Sequence, residues 1–207
     1  MDEARIQHYS RPMKITAHLA AWIYLLWVAW QALFFSLPPT VTVDRLGLGA
    51  LTFLVLCLAC TPLNILFNFP PARRLRRMLG LYAFLLACLH LLALLAMVEG
   101  WQWAAFRDGL AAGWHQPLGL AAFAILLILA ATSFKESRQL LRRYWKRLHR
   151  LSYAAGVLGA LHLLGAPNAP AGLGAFYLAV ILTLLAVRLP PVKAWFVSRR
   201  RPRSTGD

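Results

Sequence analysis

The fold class this sequence predicts is an all-α integral membrane protein, a six-helix transmembrane bundle with both termini cytoplasmic. Three observations predict it. Of 207 residues, 60% are hydrophobic and only 14% charged, whereas soluble domains are nearer half apolar and a quarter charged. Stretches free of Asp, Glu, Lys and Arg run 15–43, 46–72, 78–98, 109–134 and 151–187. The 22 Lys and Arg residues are gathered into clusters between those stretches.

A hydrocarbon layer of ~30 Å takes about 20 residues of helix to cross, and only helices satisfy their own backbone groups in lipid. The last stretch carries Pro167, Asn168 and Pro170 near its middle. Proline breaks a helix there, so two short spans joined by a tight turn fit better than one long one. The predicted crossings are therefore 15–36, 47–68, 78–98, 116–134, 148–165 and 171–188. The first apolar run is too long for a signal-peptide core and is expected to stay in the membrane. No internal repeat of the kind that marks an inverted-repeat transporter stands out.

Orientation follows from charge. The amino-terminal tail, 69–77, 135–150 and the chain from Arg188 onward hold 20 of the 22 basic residues, and only Arg45 and Arg107 lie on the other side. Basic residues mark the cytoplasmic side. This gives a cytoplasmic tail over 1–14, a transmembrane domain over 15–188 and a basic cytoplasmic tail over 189–207. Trp101, Trp103 and Trp114 border the outer face, where indole rings prefer to sit. The net charge of +15 is thus explained by topology, with the lipid bilayer as partner and no nucleic acid. Nineteen residues after the sixth helix leave no room for a nucleotide-binding domain in the tail, and neither GxGxxG nor GxxxxGK[ST] occurs. The expectation is a chain that receives electrons rather than one that oxidises a nicotinamide itself.

A strongly coordinating side chain inside a membrane helix is a functional candidate. Of six histidines, His8 is in the tail and His18 and His115 are near helix ends. His90 lies mid-way along the third helix and His162 well inside the fifth. His90 follows Arg77 by 13 residues and His162 follows Arg150 by 12, so both sit roughly 18–20 Å from the cytoplasmic basic edge. Two histidines at equal depth on parallel helices can fill both axial positions of a haem b iron, which needs only two imidazoles and an apolar slot. Gly159, one turn below His162, leaves space for a flat macrocycle. The structural alternative is a pair of helix-packing histidines; the absence of an intramembrane acid to form a proton relay weighs against it.

His149 stands at the cytoplasmic edge, about 20 Å and about 140° of helix rotation from His162. Fourteen residues before His90 stands Arg76 rather than a matching histidine. A second haem at the inner edge would lack its obvious second ligand. His149 bonds a haem propionate, a flavin or a quinone, or is simply an interfacial residue of a basic loop. Cys57, Cys60 and Cys88 lie in apolar runs and give no disulfide framework, and Cys57-Leu-Ala-Cys60 reads as packing. Ser133-Phe-Lys-Glu136 reads as a capping box opening a basic amphipathic helix over 133–147.

Arg73-Arg-Leu-Arg-Arg77-Met-Leu-Gly80 followed by His90, then Trp145-Lys-Arg-Leu-His149-Arg-Leu-Ser-Tyr153 followed by His162, resemble the MsrQ (YedZ) family. This is the family of haem-binding membrane subunits of the periplasmic protein-methionine-sulfoxide reductase system, within the ferric-reductase-like transmembrane group. The resemblance covers nearly the whole chain. It implies an electron-transfer subunit in the bacterial inner membrane, using haem b (one, with a second at the inner edge as the further option) and FMN. It implies electrons from membrane quinol or a cytoplasmic flavin reductase, passed outward to a periplasmic MsrP-like molybdoenzyme. By resemblance His90 and His162 are haem ligands and His149 a second haem-associated position. The chain departs from the family pattern at Trp114-His-Gln-Pro-Leu-Gly and in the first loop and second helix. A ferric ion or another external acceptor, or a non-redox transporter or scaffold, are the competing functions.

Overall fold

The computed structural model describes residues 3–35 and 37–198, and the side chains of 3–10, Lys193 and Val197 lie outside that description. The clustered arginines of the carboxyl-terminal tail beyond Ser198 fall outside it as well. Among the described residues the secondary structure is entirely helical. The helices are α1 (Glu3–Phe34), α2 (Pro39–Phe67), α3 (Pro71–Ala93), α4 (Trp103–Ala112), α5 (His115–Ala131), α6 (Lys135–Leu148), α7 (Leu151–Gly165), α8 (Leu173–Ala186) and α9 (Pro190–Ser198). A single π turn, Leu94–Val98, continues α3.

The helix limits have local causes. α2 and α3 each open on a proline, Pro39 and Pro71, where a missing N–H costs nothing and φ is preset. α2 stops at Asn68, held in the left-handed region at φ 49°, a conformation asparagine tolerates. The chain reverses after α3 through Gly100 and Trp101, both at positive φ. α7 ends at the predicted break: residues 166–172, with both prolines, separate it from α8.

Among the described residues three helices are long and apolar enough to cross a membrane, over Arg11–Phe34, Pro39–Phe67 and Pro71–Val98. Two bent pairs raise the number to at most five: Trp103–Ala112 with His115–Ala131, bent by 112°, and Leu173–Ala186 with Pro190–Phe196, bent by 64°. α7 is apolar but has only 15 residues, about 22 Å of helix. It is shorter than the expected 148–165 because His149 and Arg150 form a turn. The expected helix at the inner surface is present as α6, but not with the expected cap. No side-chain cap bond forms at its start, because the Ser133 hydroxyl donates to the Leu129 carbonyl one turn back in α5 (2.6 Å). α6 is also interrupted at Arg142, whose φ of 42° is not helical.

The bundle is built on two antiparallel pairs, α2 with α3 and α5 with α7, which pack most extensively. Val43 near the start of α2 meets His90 near the end of α3, and the Cys57 thiol further along α2 meets the Arg76 carbonyl near the start of α3. His115 at the start of α5 meets His162 near the end of α7, and Thr132 past the end of α5 meets His149 before α7. α3 and α7 therefore run in the same direction, as their histidine depths required. α1 packs on α3 and α2, and α8 packs on α7 and α2. One core joins Ala21, Leu54, Cys57, Ala83, Leu86 and Ala155, while another joins Leu51, Leu58, Ala160 and Ile181. Large apolar side chains such as Ile15, Trp22, Ile23, Leu26 and Leu33 point outward from α1. An apolar exterior of that extent suits lipid as the surrounding solvent.

Candidate functional site

Between the two helix pairs lies a cavity of about 370 Å³, within the range of small-molecule and cofactor sites. Its walls are largely leucine, alanine and glycine from α2, α3, α5 and α7, and both His90 and His162 open into it. Gly159 lines it, and a Cβ there would meet the tip of Leu51, at 3.3 Å. Asp44, Arg45, Gln116 and Asn168 supply polar groups on the same lining.

The two imidazoles have matching backbone anchors, and the His115 ring stands beside that of His162 with centroids 5.7 Å apart. His90 Nδ1 lies 2.8 Å from the Val43 carbonyl, and His162 Nδ1 lies 2.9 Å from the His115 carbonyl. A carbonyl only accepts, so each Nδ1 carries the hydrogen and donates it. In the neutral ring that leaves the Nε2 lone pair free, the arrangement that metal-ligating histidines use to fix tautomer and orientation. The ring centroids are 6.2 Å apart and the planes are inclined at 80°. A metal–imidazole bond of about 2 Å, with roughly 1 Å more from nitrogen to ring centre, spaces two axial imidazoles about 6 Å apart. The spacing of His90 and His162 matches that requirement, so the two rings would suit one haem iron. Among the described residues no group of three or more His, Cys, Asp or Glu side chains could hold a bare metal ion.

The matching extends to sequence position. In both cases the histidine follows its carbonyl partner by 47 residues. Val43, Gly47 and His90 recur 72 residues later as His115, Gly119 and His162. Leu46-Gly47-Leu48, Ala50 and Leu54 answer Leu118-Gly119-Leu120, Ala122 and Leu126. Leu89-His90-Leu91-Leu92 answers Leu161-His162-Leu163-Leu164. The chain does hold an internal repeat, then, a parallel one rather than the inverted kind. Its signal is the shared Leu-His-Leu-Leu, with the glycine 43 positions upstream.

Arg76 and His149 are not part of this cavity. At the opposite end of the helices the Arg76 guanidinium reaches Ser152 Oγ at 3.5 Å, and the Arg76 carbonyl accepts the Cys57 thiol. His149 stacks on Trp145 with centroids 4.1 Å apart, and its Nε2 lies 3.4 Å from the Thr132 hydroxyl. Trp145 Nε1 donates to the Thr132 carbonyl at 2.9 Å. Beside them Arg188 donates to the Tyr153 hydroxyl and to the Leu58 carbonyl. Cys57 and Cys60 are buried free thiols. Two residues on the cavity lining were missed. Asp44 and Arg45 look like loop residues because they interrupt the apolar run, but they belong to the first turns of α2 and line the cavity. An acid, Asp44, therefore stands on the cavity lining.

Residues 46–160 match the family model described as the ferric reductase like transmembrane component. The chain is also 37% identical, over 158 residues, to the protein-methionine-sulfoxide reductase heme-binding subunit MsrQ of Rhodospirillum rubrum. That match covers 76% of this chain and 74% of the relative. The chain is a membrane protein of the ferric-reductase-like transmembrane family, related to that MsrQ subunit.

Proposed function

We propose that the protein carries electrons across a membrane through haem b, ligated by His90 and His162, toward an external reductase of methionine sulfoxide. The observation that supports this reading above all is the pair of carbonyl-anchored imidazoles 6.2 Å apart across an apolar cavity. The likeness to a protein-methionine-sulfoxide reductase heme-binding subunit supports the cofactor and the pathway. When bound, haem b supplies a one-electron iron couple whose potential its axial ligands and surroundings tune. The chain's own part is to hold both rings, exclude water with leucine and alanine walls, and set the distance to each membrane face.

In the six-crossing topology of the positive-inside reading, α7 is the fifth crossing and Gly159 its cavity-lining glycine. The cavity falls in the outer half, within electron-transfer reach of a docked periplasmic MsrP-like molybdoenzyme. Arg76 and His149 fall on the cytoplasmic edge, where a membrane quinol, FMN or a flavin reductase would deliver electrons. The basic face of α6 and the arginines in the first turns of α3 would attract such an acidic donor. A reduced-minus-oxidised visible spectrum of detergent-purified protein tests this. A low-spin b-type spectrum is expected. A colourless preparation from cells supplied with haem would favour the reading of a non-redox transporter or scaffold.

A further inference from the structure

The histidine rings do more than line the cavity; each lies flat against a glycine of the neighbouring helix. A Cβ built on Gly47 would stand 2.9 Å from His90 Nδ1 and 3.0 Å from Cε1. A Cβ on Gly119 would stand 2.7 Å from His162 Nδ1 and 2.8 Å from Cε1. All these distances are at or below the limit that real Cβ atoms keep, and the atoms met belong to a rigid ring. Each glycine is one helical turn after the residue whose carbonyl accepts the same ring's Nδ1–H: Val43 before Gly47, His115 before Gly119. One helix turn thus supplies both a floor and an acceptor, and it does so twice in the same register.

We propose that Gly47 and Gly119 are positioning residues, paired ring seats that fix the planes of the two axial imidazoles nearly perpendicular to each other. This rests on the haem reading above and extends it from the ligands to what orients them. With only hydrogen at Cα, the ring slides over the helix backbone until its Nδ1–H meets the carbonyl one turn back. A methyl group at either position lifts the ring, lengthens that bond and turns the plane. Helix propensity cannot account for these glycines, because alanine is the better helix former in both α2 and α5. The interplanar angle of 80° is then a property of the two seats, and each seat sets one plane.

Electron paramagnetic resonance of the oxidised, haem-loaded protein reads that angle. Near-perpendicular axial imidazoles give a strongly anisotropic low-spin signal dominated by one large g value; nearly parallel rings give a three-line rhombic signal. Gly47→Ala and Gly119→Ala are each expected to move the signal away from the wild-type form, or to lower haem per chain several-fold with the helical circular dichroism unchanged. Gly80→Ala is the control, since a Cβ there makes an ordinary contact of 3.5 Å with Cys57 Sγ; it should match the wild type. Wild-type signal and occupancy in either cavity variant would overturn the proposal, as would an equal change in Gly80→Ala. If Gly47→Ala fails to fold, adding His90→Ala removes the ring that the new methyl meets and should restore folding. A double variant that stays unfolded also overturns it. A wild type that purifies without haem would defeat the haem reading instead, so the two failures are distinct.

Discussion

The two ends of the helix bundle treat their polar groups in opposite ways. At the cavity end, His90 and His162 each spend one nitrogen on a backbone carbonyl and keep the other free, in surroundings repeated 72 residues apart. At the basic end the polar groups are engaged with one another. Arg76 reaches Ser152, His149 is stacked on Trp145 beside Thr132, and Arg188 bonds Tyr153 and Leu58. The repeat fails there too, because the position answering His149 in the first unit is Arg77. A symmetric end suits a symmetric ligand pair, whereas an asymmetric basic end suits surface chemistry with a donor. Packing symmetry rather than histidine count thus separates a ligand site from its approach.

The largest effect that sharpens this contrast comes from filling the cavity. Gly159→Phe should lower haem per chain at least tenfold, measured by pyridine haemochrome against protein, since its ring must enter the space the macrocycle needs. The same substitution leaving occupancy normal would place the cofactor elsewhere. His149→Ala should leave the spectrum of the outer haem intact and slow its reduction by quinol or reduced flavin several-fold. Loss of all haem in that variant would erase the distinction between the two ends. Arg188→Ala should remove bonds from a charged donor to Tyr153 and Leu58 and lower stability by on the order of 1–3 kcal/mol, read as a fall in detergent thermal stability with haem content per folded chain unchanged. The smallest effect concerns the surface: raising ionic strength from about 0.01 M to about 0.15 M shortens the reach of charge from about 30 Å to about 8 Å. Reduction by an acidic flavoprotein should slow accordingly, and a quinol analogue should be indifferent.

Much of this was legible in the sequence because lipid imposes simple rules. Long uncharged runs mark helices, Pro167 and Pro170 mark the break between α7 and α8, and equal distances from the basic clusters bring His90 and His162 together. What the sequence obscured has physical causes. Asp44 and Arg45 read as a loop because charge is costly in lipid, yet they lie in the first turns of α2 and on the cavity lining. The capping box at Ser133 failed because its hydroxyl had a nearer acceptor at the end of α5. The repeat is hard to see in the sequence because matches of leucine and alanine are expected in any two apolar runs. The Leu-His-Leu-Leu pair and its glycines stand out from the leucine and alanine matches around them because there the ring must fit.

Haem content in three purified proteins tests the central claim most directly: the wild type, His90→Ala and His162→Ala, each checked for intact folding. With His90 and His162 as the two axial ligands of one haem, the wild type shows a low-spin b-type spectrum. Each variant then loses that spectrum to a similar extent, because one imidazole cannot fill both axial positions. A normal low-spin spectrum at normal occupancy in either variant would contradict the account.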